Sequence, residues 1–302
     1  MAFLDMKRYI SYTIIFLVII SFGSCSPDSV EEVEFSDLFQ NVADNIIVPR
    51  YSNFDNALSD LSLELNNFNN SDLSSLESLQ QKFIETYLTW QAVSAFEFGP
   101  AGEPNALLRS NINNFPTNSS KIESNILAND YNLDAASNYS AKGLPALDYI
   151  LFHTSQNELL SELTDTSRLN YMKECVSDME SRVDYVVDGW DSYRNTFVES
   201  QGNDQNSSLS LFFNYFLYDY EQIKRNKFAL PAGFATEFGI PISMDTSKVE
   251  GLYSASSLEL ITANLRALED LYLGVGENGI DGVGIYEVLK EYNAVSTVVE
   301  GD

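Results

Sequence analysis

Two carboxylates stand where the surrounding sequence is apolar, and the first of them is Glu97. It follows Leu76, Phe83 and Trp90 at a constant spacing of seven residues, and seven residues drift by only about 20° around a straight helix. The predicted helix runs to Gly99-Pro100, so Glu97 lies close to its buried stripe. A buried carboxylate has to be paired, hydrogen-bonded, protonated or metal-bound. The alternative is that the helix frays at its end and leaves Glu97 in water.

Asp148 is the second such carboxylate, inside the apolar run from Gly143 to Phe152. Pro145 suits the first position of a helix, because its missing N–H needs no partner there. Asp148 would then lie in the first turn, where free N–H groups and the helix dipole favour a negative charge. The functional alternative is a carboxylate held in place at the end of a cleft. Arg109, in an irregular stretch, is either the counter-charge for one of the two acids or a surface residue.

The content of histidine and of short motifs excludes several classes of enzyme. The chain has one histidine, His153, which excludes zinc proteolysis of the H-E-x-x-H type and any site with two imidazoles. The G-x-S-x-G elbow of many hydrolases does not occur. A G-x-G-x-x-G match at 274–279 follows a predicted helix rather than a strand, so we interpret it as a helix end and a loop. His153 is also predicted at the end of a helix.

Helical periodicity dominates the chain beyond residue 34, and no convincing run of alternating strand residues occurs. The predicted fold class is therefore all-α, with long helices of the kind that form bundles. An irregular stretch at 101–142 separates two helical groups, which predicts an N-terminal bundle half at 35–160 and a C-terminal half at 161–302. We predict helices from Phe35 to a stop at Pro49, Phe54 to Leu65, Leu76 to Gly99, Met172 to Phe197, Leu209 to Ile223 and 284 to 299, with capping boxes at Ser120 and Ser256.

The N-terminus has the features of a secretory signal. A basic start and a short apolar run precede Gly23-Ser24-Cys25, which resembles a bacterial lipobox. We predict a lipoprotein signal peptide at 1–24, acylation of Cys25 and an acidic tether at 25–34. The acyl chains would then hold the protein to a membrane without a spanning helix. An ordinary signal peptide with an incidental cysteine is the alternative.

Charge argues against nucleic acid as a partner. The chain has 44 acidic and 17 basic residues, a net charge of −27, and such a surface repels phosphate backbones and anionic lipid. Colloidal solubility alone could explain this charge. With Cys25 acylated, Cys175 has no partner for a disulfide, and its place in a helical pattern predicts a small core residue.

Four blocks of the sequence resemble those of the imelysin-like proteins. Trp90 to Pro100 resembles their first signature, and Gly143 to Phe152 resembles their G-x-H-x-x-E block with the apolar run that follows it. Lys227 to Gly233 and Glu250 to Ser256 resemble blocks of the second half. The order and spacing of the blocks agree over about residues 35–300, and together they are more specific than any one alone.

The resemblance implies an all-helical fold of two four-helix-bundle-like halves with a site in the cleft between them. It also implies a lipoprotein of the cell envelope, with the outer membrane as the expected location, and a part in iron uptake. The family's name records a peptidase assignment. The family usually continues beyond the length of this chain, so a C-terminal half that lacks a helix is a further expectation. The candidate metal or ligand residues are Glu97 and Asp148, with Trp90, Arg109, Gly143, Tyr149, Glu250 and Ser254 as supporting residues of the cleft.

This chain departs from the family at the metal motif. The family's histidine falls on Pro145, which cannot bind a metal, and its glutamate falls on Asp148. Oxygen ligands such as Glu97 and Asp148 would suit an Fe³⁺ or Ca²⁺ ion. The favoured hypothesis is a binding component of iron or haem uptake that works with an envelope partner. A helical scaffold that binds another envelope protein or a glycan without metal is the alternative, and a metallopeptidase is the least favoured.

Overall fold

The computed structural model describes residues 35–202, 204–237 and 239–294. The predicted signal peptide, Cys25 and the tether lie outside the described residues, as does the segment 295–302. Within the described ranges, regular structure is helical apart from one pair of two-residue strands, which confirms the all-α fold class. None of the helices in these ranges is long and apolar enough to cross a membrane.

The helices vary from one turn to 34 residues. In chain order they are α1 (Ser36–Asn41), the π-helix Val42–Ile47, α2 (Val48–Asn67), α3 (Leu73–Val93), α4 (Leu108–Ile112), α5 (Ser119–Ala128), α6 (Gly143–Phe152), α7 (Gln156–Glu162), α8 (Thr166–Glu199), α9 (Ser208–Glu221), the π-helix Gln222–Ala229, α10 (Ser257–Leu273) and α11 (Ile285–Glu291). Short 3₁₀-helices cover Gly99–Gly102, Ala136–Ala141 and Thr246–Lys248. The antiparallel strands β1 (Thr236–Glu237) and β2 (Ile240–Pro241) form a hairpin before α10.

Pro49 does not end the first helix, and that prediction was wrong. Helix α1, the first π-helix and α2 follow one another without a break from Ser36 to Asn67. A proline cannot donate to the carbonyl four residues before it, which here belongs to Asn45. The Asn45 carbonyl accepts the N–H of Glu277 at 3.0 Å instead. The wider π turn lies where the proline ring needs room, and a long-range hydrogen bond replaces the lost helical one.

Helices α2, α3, α8 and α10 form the centre of the fold. Helix α2 packs against both α3 and α8, and α3 also packs against α10. Leu76, Phe83 and Trp90 are buried, which confirms the stripe predicted for α3. Cys175 of α8 is a buried free thiol, as expected of a core residue. Because α2 and α8 lie on either side of residue 160 in the sequence, they bring the two segments together. The division into two bundle halves stays a prediction.

Neither predicted capping box forms. Asn118 caps α5, because its side chain accepts the N–H of Lys121, and Ser120 lies inside the helix. Ser256 precedes α10 without a side-chain hydrogen bond to the helix. The hydroxyl of Ser256 lies 2.8 Å from that of Ser254 instead. In both cases a nearby polar side chain provides a better partner than the one predicted from the local sequence.

The predicted helix ends agree with those of the structure where a cap residue marks the end of the helix. Gly274 ends α10 with a φ of 76°, which confirms the interpretation of the G-x-G-x-x-G match as a helix end. His153 follows the last residue of α6, as predicted. Helix α11 ends at Glu291 rather than at residue 299, because Asn293 adopts a φ of 48° that a helix does not accommodate.

Candidate functional site

Asp148 lies in the second turn of α6, because this helix begins at Gly143 rather than at Pro145. The residue is buried, with 2% of its surface exposed. Its Oδ2 accepts the backbone N–H of Tyr253 at 2.9 Å, and its Oδ1 accepts that of Ser254 at 3.0 Å. The first-turn interpretation was therefore wrong. The N–H groups that hold this carboxylate belong to the loop before α10 and not to its own helix.

Gly143 determines how closely α6 approaches its neighbour. Its φ is 70°, in the region that favours glycine. A Cβ atom at this position would lie 2.2 Å from the carbonyl oxygen of Ile112, the last residue of α4. The start of α6 therefore lies directly against the end of α4, and this contact helps to place Asp148 opposite the loop that binds it.

The surroundings of Asp148 favour its protonated form more than water does. Burial raises the pKa of the Asp148 carboxyl above its ordinary value of 3.8, and the hydrogen bonds from Ser254 and Tyr253 oppose this only in part. The negative charge of Glu250 adds to the rise. Asp148 is therefore a carboxyl group that takes up a proton more readily than an exposed aspartate.

Glu97 lies beyond the end of α3, which stops at Val93, so the extension of the seven-residue spacing to Glu97 was wrong. Its side chain is nevertheless largely covered, with 18% of its surface exposed. Oε1 accepts the backbone N–H of Arg109 at 3.1 Å, and Oε2 accepts its Nε–H at 3.2 Å. Of the two roles left open for Arg109, the structure shows the counter-charge, and the acid that it pairs with is Glu97.

Arg109 also binds Asp219, a fully buried carboxylate of α9. Its Nη2 donates to Asp219 Oδ1 at 2.8 Å and to the carbonyl of Ser94 at 2.5 Å. Burial opposes the charge of Arg109, but Asp219 and Glu97 more than offset it, and the pKa of the guanidinium is raised above its ordinary value. The guanidinium carbon lies 5.2 Å from the centre of the Tyr218 ring. Arg109 is therefore a permanent cation held in one position.

A second ion pair is buried near the first. Lys227 Nζ lies 3.0 Å from Glu250 Oε2, and the two side chains are 1% and 0% exposed. Glu250 Oε1 accepts hydrogen bonds from the side-chain amides of Gln91 at 2.9 Å and Asn113 at 2.7 Å. These amides supply the hydrogen bonds that a buried carboxylate requires in addition to its counter-charge.

Asn264 of α10 connects the two ion pairs. Its Nδ2 donates to Asp219 Oδ2 at 2.8 Å, and its Oδ1 accepts from Lys227 Nζ at 2.7 Å. A continuous series of polar contacts thus leads from one pair to the other, and we call it the buried charge network. Its members are Glu97, Arg109, Asp219, Asn264, Lys227 and Glu250.

Sequence reasoning missed Asp219 and Lys227 as site residues, although a signal for them was present. Phe212, Asp219, Ile223 and Lys227 follow one another at spacings of seven, four and four residues, and all four are buried. This is the spacing of a buried helical stripe. A charged residue within an apolar stripe had singled out Glu97, and the same test applied to α9 and the π-helix that follows it would have found both residues.

The other predicted cleft residues divide into two groups. Trp90 packs against Phe54 in the core, and its indole N–H has no hydrogen-bond partner among the described residues. Tyr149 lies nearer to the site, because its ring packs against that of Tyr253 and its hydroxyl donates to Glu123 at 2.9 Å. Trp90 is therefore a packing residue, whereas Tyr149 supports the loop that binds the α6 carboxylate.

Two cavities share Phe115 and Pro116 in their walls. The larger, which we call the Arg109 cavity, has a volume of about 440 Å³, and its polar walls include Arg109, Asn113, Asn114, Gln222, Asn226 and Lys248. The smaller, the Asp148 cavity, has a volume of about 240 Å³ and is lined in part by Pro145, Asp148, Gly251 and Tyr253. Each cavity is therefore lined by residues from both sides of position 160.

A metal ion does not fit the two candidate carboxylates. Both oxygens of Glu97 accept N–H groups of Arg109, and both oxygens of Asp148 accept backbone N–H groups. A cation such as Ca²⁺ requires several free oxygen ligands. Among the residues that the structure describes, no group of three or more His, Cys, Asp or Glu residues could hold a metal ion. The residues present therefore do not fit the metal that a peptidase assignment requires.

Comparison with known proteins agrees with this architecture. The sequence model of the family Peptidase_M75, described as imelysin, matches residues 47–300. The chain belongs to the imelysin family. No curated protein matches this imelysin-family chain.

Two solved structures illustrate how widely the fold of this imelysin-family protein is shared. A crystal structure described as a "putative iron-regulated protein A precursor" from Parabacteroides distasonis ATCC 8503 has a TM-score of 0.70 and 16% identity, over 88% of this chain and 81% of that chain. An imelysin-like protein from Psychrobacter arcticum 273-4 has a TM-score of 0.58 and 17% identity, over 78% of this chain and 74% of its own. At these identities the likeness shows the fold alone.

Proposed function

We propose that this protein is a non-catalytic binding protein of the cell envelope that takes part in iron uptake, and that it binds iron as a small chelate in the Arg109 cavity. The observation that carries the proposal is the wall of that cavity, where Arg109 and Lys248 stand among side-chain amides. A chelate brings its own oxygen ligands to the iron. The protein then needs hydrogen-bond donors rather than free carboxylates.

The amides of the cavity wall can provide these donors. Asn226 donates to the side-chain oxygen of Gln222, so the Gln222 amide keeps its N–H groups for a ligand. Asn113 is already committed, because it donates to Glu250 and accepts from the Tyr87 hydroxyl. It therefore connects the wall of the cavity to the buried charge network and keeps that wall rigid.

The size of the cavity favours a small chelate over haem. Pockets for small ligands commonly have volumes of about 300–1,000 Å³. The Arg109 cavity, at about 440 Å³, lies toward the lower end of that range. A compact ferric complex of a hydroxy acid suits this volume better than a porphyrin with its side chains.

Two further observations support the proposed location in the cell envelope and the proposed role in iron uptake. The sequence before Cys25 has the features of a lipoprotein signal, and an acylated Cys25 would hold the chain at a membrane surface. A structural neighbour is described as an iron-regulated protein. We propose the same physiological setting for this chain.

Equilibrium dialysis of the full chain tests this function. Radioactive Fe³⁺ is supplied as its citrate chelate, with bare Fe²⁺ and bare Ca²⁺ in parallel. We expect stoichiometric binding of the chelate and no binding of the bare ions. Asn114→Trp, which fills the Arg109 cavity, should abolish binding. Asn157→Trp, at an exposed position of α7, should leave it unchanged.

Two results would overturn the proposal. Binding of bare ions that Asn114→Trp does not reduce would indicate a metal site elsewhere in the chain. If neither the chelate nor either bare ion binds, the chelate is excluded as the ligand. That result would favour a helical scaffold that binds another envelope molecule.

A further inference from the structure

The charged residues of the Arg109 cavity are positive, whereas the net charge of the chain is negative. The sequence has 44 acidic residues and 17 basic ones. The charged residues in the cavity wall are Arg109 and Lys248, and the rest of this wall is uncharged. A wall without acidic residues in so acidic a protein favours a negatively charged ligand.

Arg109 has hydrogen-bonding capacity left for such a ligand. Its Nε donates to Glu97, and its Nη2 donates to Ser94 and Asp219. Among the described residues none accepts a hydrogen bond from Nη1. This nitrogen carries two of the five N–H donors of the guanidinium. Donors of this kind form strong, charge-assisted hydrogen bonds with carboxylate oxygens.

The two acids bound to Arg109 do not line its cavity. Asp219 is fully buried, and its Oδ2 accepts hydrogen bonds from Ser94 and Asn264. Glu97 borders a separate cavity of about 360 Å³ together with Tyr215 and Tyr218. A ligand in the Arg109 cavity therefore meets the guanidinium and not the carboxylates behind it.

Lys248 lies in the same wall and is more exposed than Arg109. Its Nζ is 3.5 Å from Asp245 Oδ2, and the two side chains are 48% and 41% exposed. An ion pair as exposed as this one contributes little to stability. The ammonium of Lys248 can therefore move from Asp245 to a ligand at small cost.

We propose that the Arg109 cavity selects ligands with a net negative charge, and that a carboxylate of the ligand contacts Arg109 Nη1 and Lys248 Nζ. This inference rests on the proposed function and deepens it, because it names the class of chelate. The ligand is a ferric complex of a polycarboxylic acid that keeps at least one carboxylate free of the iron.

Chelates of different charge test the inference on the full chain. Ferric citrate is negative, ferrichrome is neutral and ferrioxamine B is positive, and each is titrated by equilibrium dialysis. Ferric citrate should bind most tightly. Lys248→Gln should weaken its binding about five- to tenfold, the loss expected for one charge-assisted contact at a partly exposed position. Lys248→Arg should retain wild-type affinity. Lys224→Gln, at an exposed lysine outside the cavity wall, should do so as well.

The outcomes separate this inference from the proposed function. Equal binding of all three chelates, unchanged in Lys248→Gln, would overturn the charge selection and leave iron binding intact. Binding of iron-free citrate that depends on Lys248, with no gain from iron, would support the charge selection and overturn the role in iron uptake. Absence of binding by any of these probes would overturn both.

Discussion

Arg109 and Asp219 form the ion pair that joins the two walls of the candidate site. Arg109 Nη2 lies 2.8 Å from Asp219 Oδ1, and the Asp219 side chain is fully buried. Arg109 belongs to α4, which lines one side of the Arg109 cavity, whereas Asp219 belongs to α9, which leads into the π-helix on the other side. The pair therefore acts on both the stability of the fold and the shape of the cavity.

Loss of Arg109 should be strongly destabilising. Arg109→Met leaves Asp219 buried without its counter-charge, and we expect the free energy of unfolding to fall by about 3–5 kcal/mol. Arg109→Met combined with Asp219→Leu removes both charges and should recover much of this loss. Urea unfolding followed by circular dichroism measures the difference.

Arg194 provides the matched control for that experiment. It pairs with Asp44 at 2.6 Å, but the two side chains are 31% and 38% exposed. Arg194→Met should therefore cost no more than about 1 kcal/mol. Similar losses for the two arginine variants would show that burial of the Asp219 pair has no energetic consequence.

The glycine at the start of α6 allows a clean test of close packing. Gly143 and Gly279 both have a φ of 70°, but a Cβ at Gly143 would lie 2.2 Å from Ile112 O, whereas one at Gly279 would meet nothing within 4 Å. Gly279→Ala should lower the free energy of unfolding by about 1–2 kcal/mol, because of backbone strain alone. Gly143→Ala should cost clearly more, because α6 has to move away from α4. Equal thermal unfolding midpoints for the two variants would contradict this explanation.

The helices of the fold could be predicted from the sequence because their apolar periodicity is strong. The buried stripe of α3 is a clear case, and the long helix α8 is another. Pro49 could not be predicted correctly, since the carbonyl that it leaves free is satisfied by Glu277, more than two hundred residues later. Local rules give the location of helices, but long-range hydrogen bonds decide whether a helix stops.

The candidate site was predictable only in part. Glu97 and Asp148 were singled out because each is a charge in an apolar pattern, and both are indeed largely covered. Arg109, which is 12 residues from Glu97, could be named as a possible counter-charge. The backbone donors that hold Asp148 could not be predicted, because Tyr253 lies 105 residues away in sequence. The interpretation of the two acids as metal ligands depended on free oxygens, and only the tertiary structure shows the donors that occupy them.

Asp148 should give the protein a measurable pH dependence. Because its pKa is raised in the folded state above 3.8, the folded chain binds this proton more tightly than the unfolded chain. The corresponding stability is present below the ordinary pKa and is lost as pH rises through the folded pKa. Asp148→Asn removes the carboxyl group that titrates. The free energy of unfolding of this variant should therefore decline less than that of the wild type between about pH 4 and pH 7.

Asp245→Asn serves as the control of opposite sign. The Ser247 hydroxyl holds the pKa of Asp245 below its ordinary value, so this residue contributes stability above that value and loses it as pH falls. The free energies of unfolding of the wild type and of Asp245→Asn should therefore differ most at neutral pH and become equal in acid. Identical pH profiles for Asp148→Asn and the wild type would show that Asp148 titrates as an exposed aspartate does.

Cys175 should be inert in the folded protein. Burial raises the pKa of its thiol to about 12, and the reactive species is the thiolate. In a Cys25→Ser background, Ellman's reagent at pH 8 should not react with the native chain and should react stoichiometrically after urea is added. Rapid reaction without urea would mean that α8 opens locally.

The central claim is that iron enters the Arg109 cavity as a chelate and without a protein carboxylate as ligand. The most direct measurement is an anomalous difference map at the iron edge, from crystals of the protein grown with ferric citrate. We predict an iron peak inside the Arg109 cavity, coordinated by citrate oxygens, with a free citrate carboxylate close to Arg109 and Lys248. An iron peak coordinated by Glu97 or Asp148 would contradict the account, because it would require these acids to give up the N–H donors that now hold them.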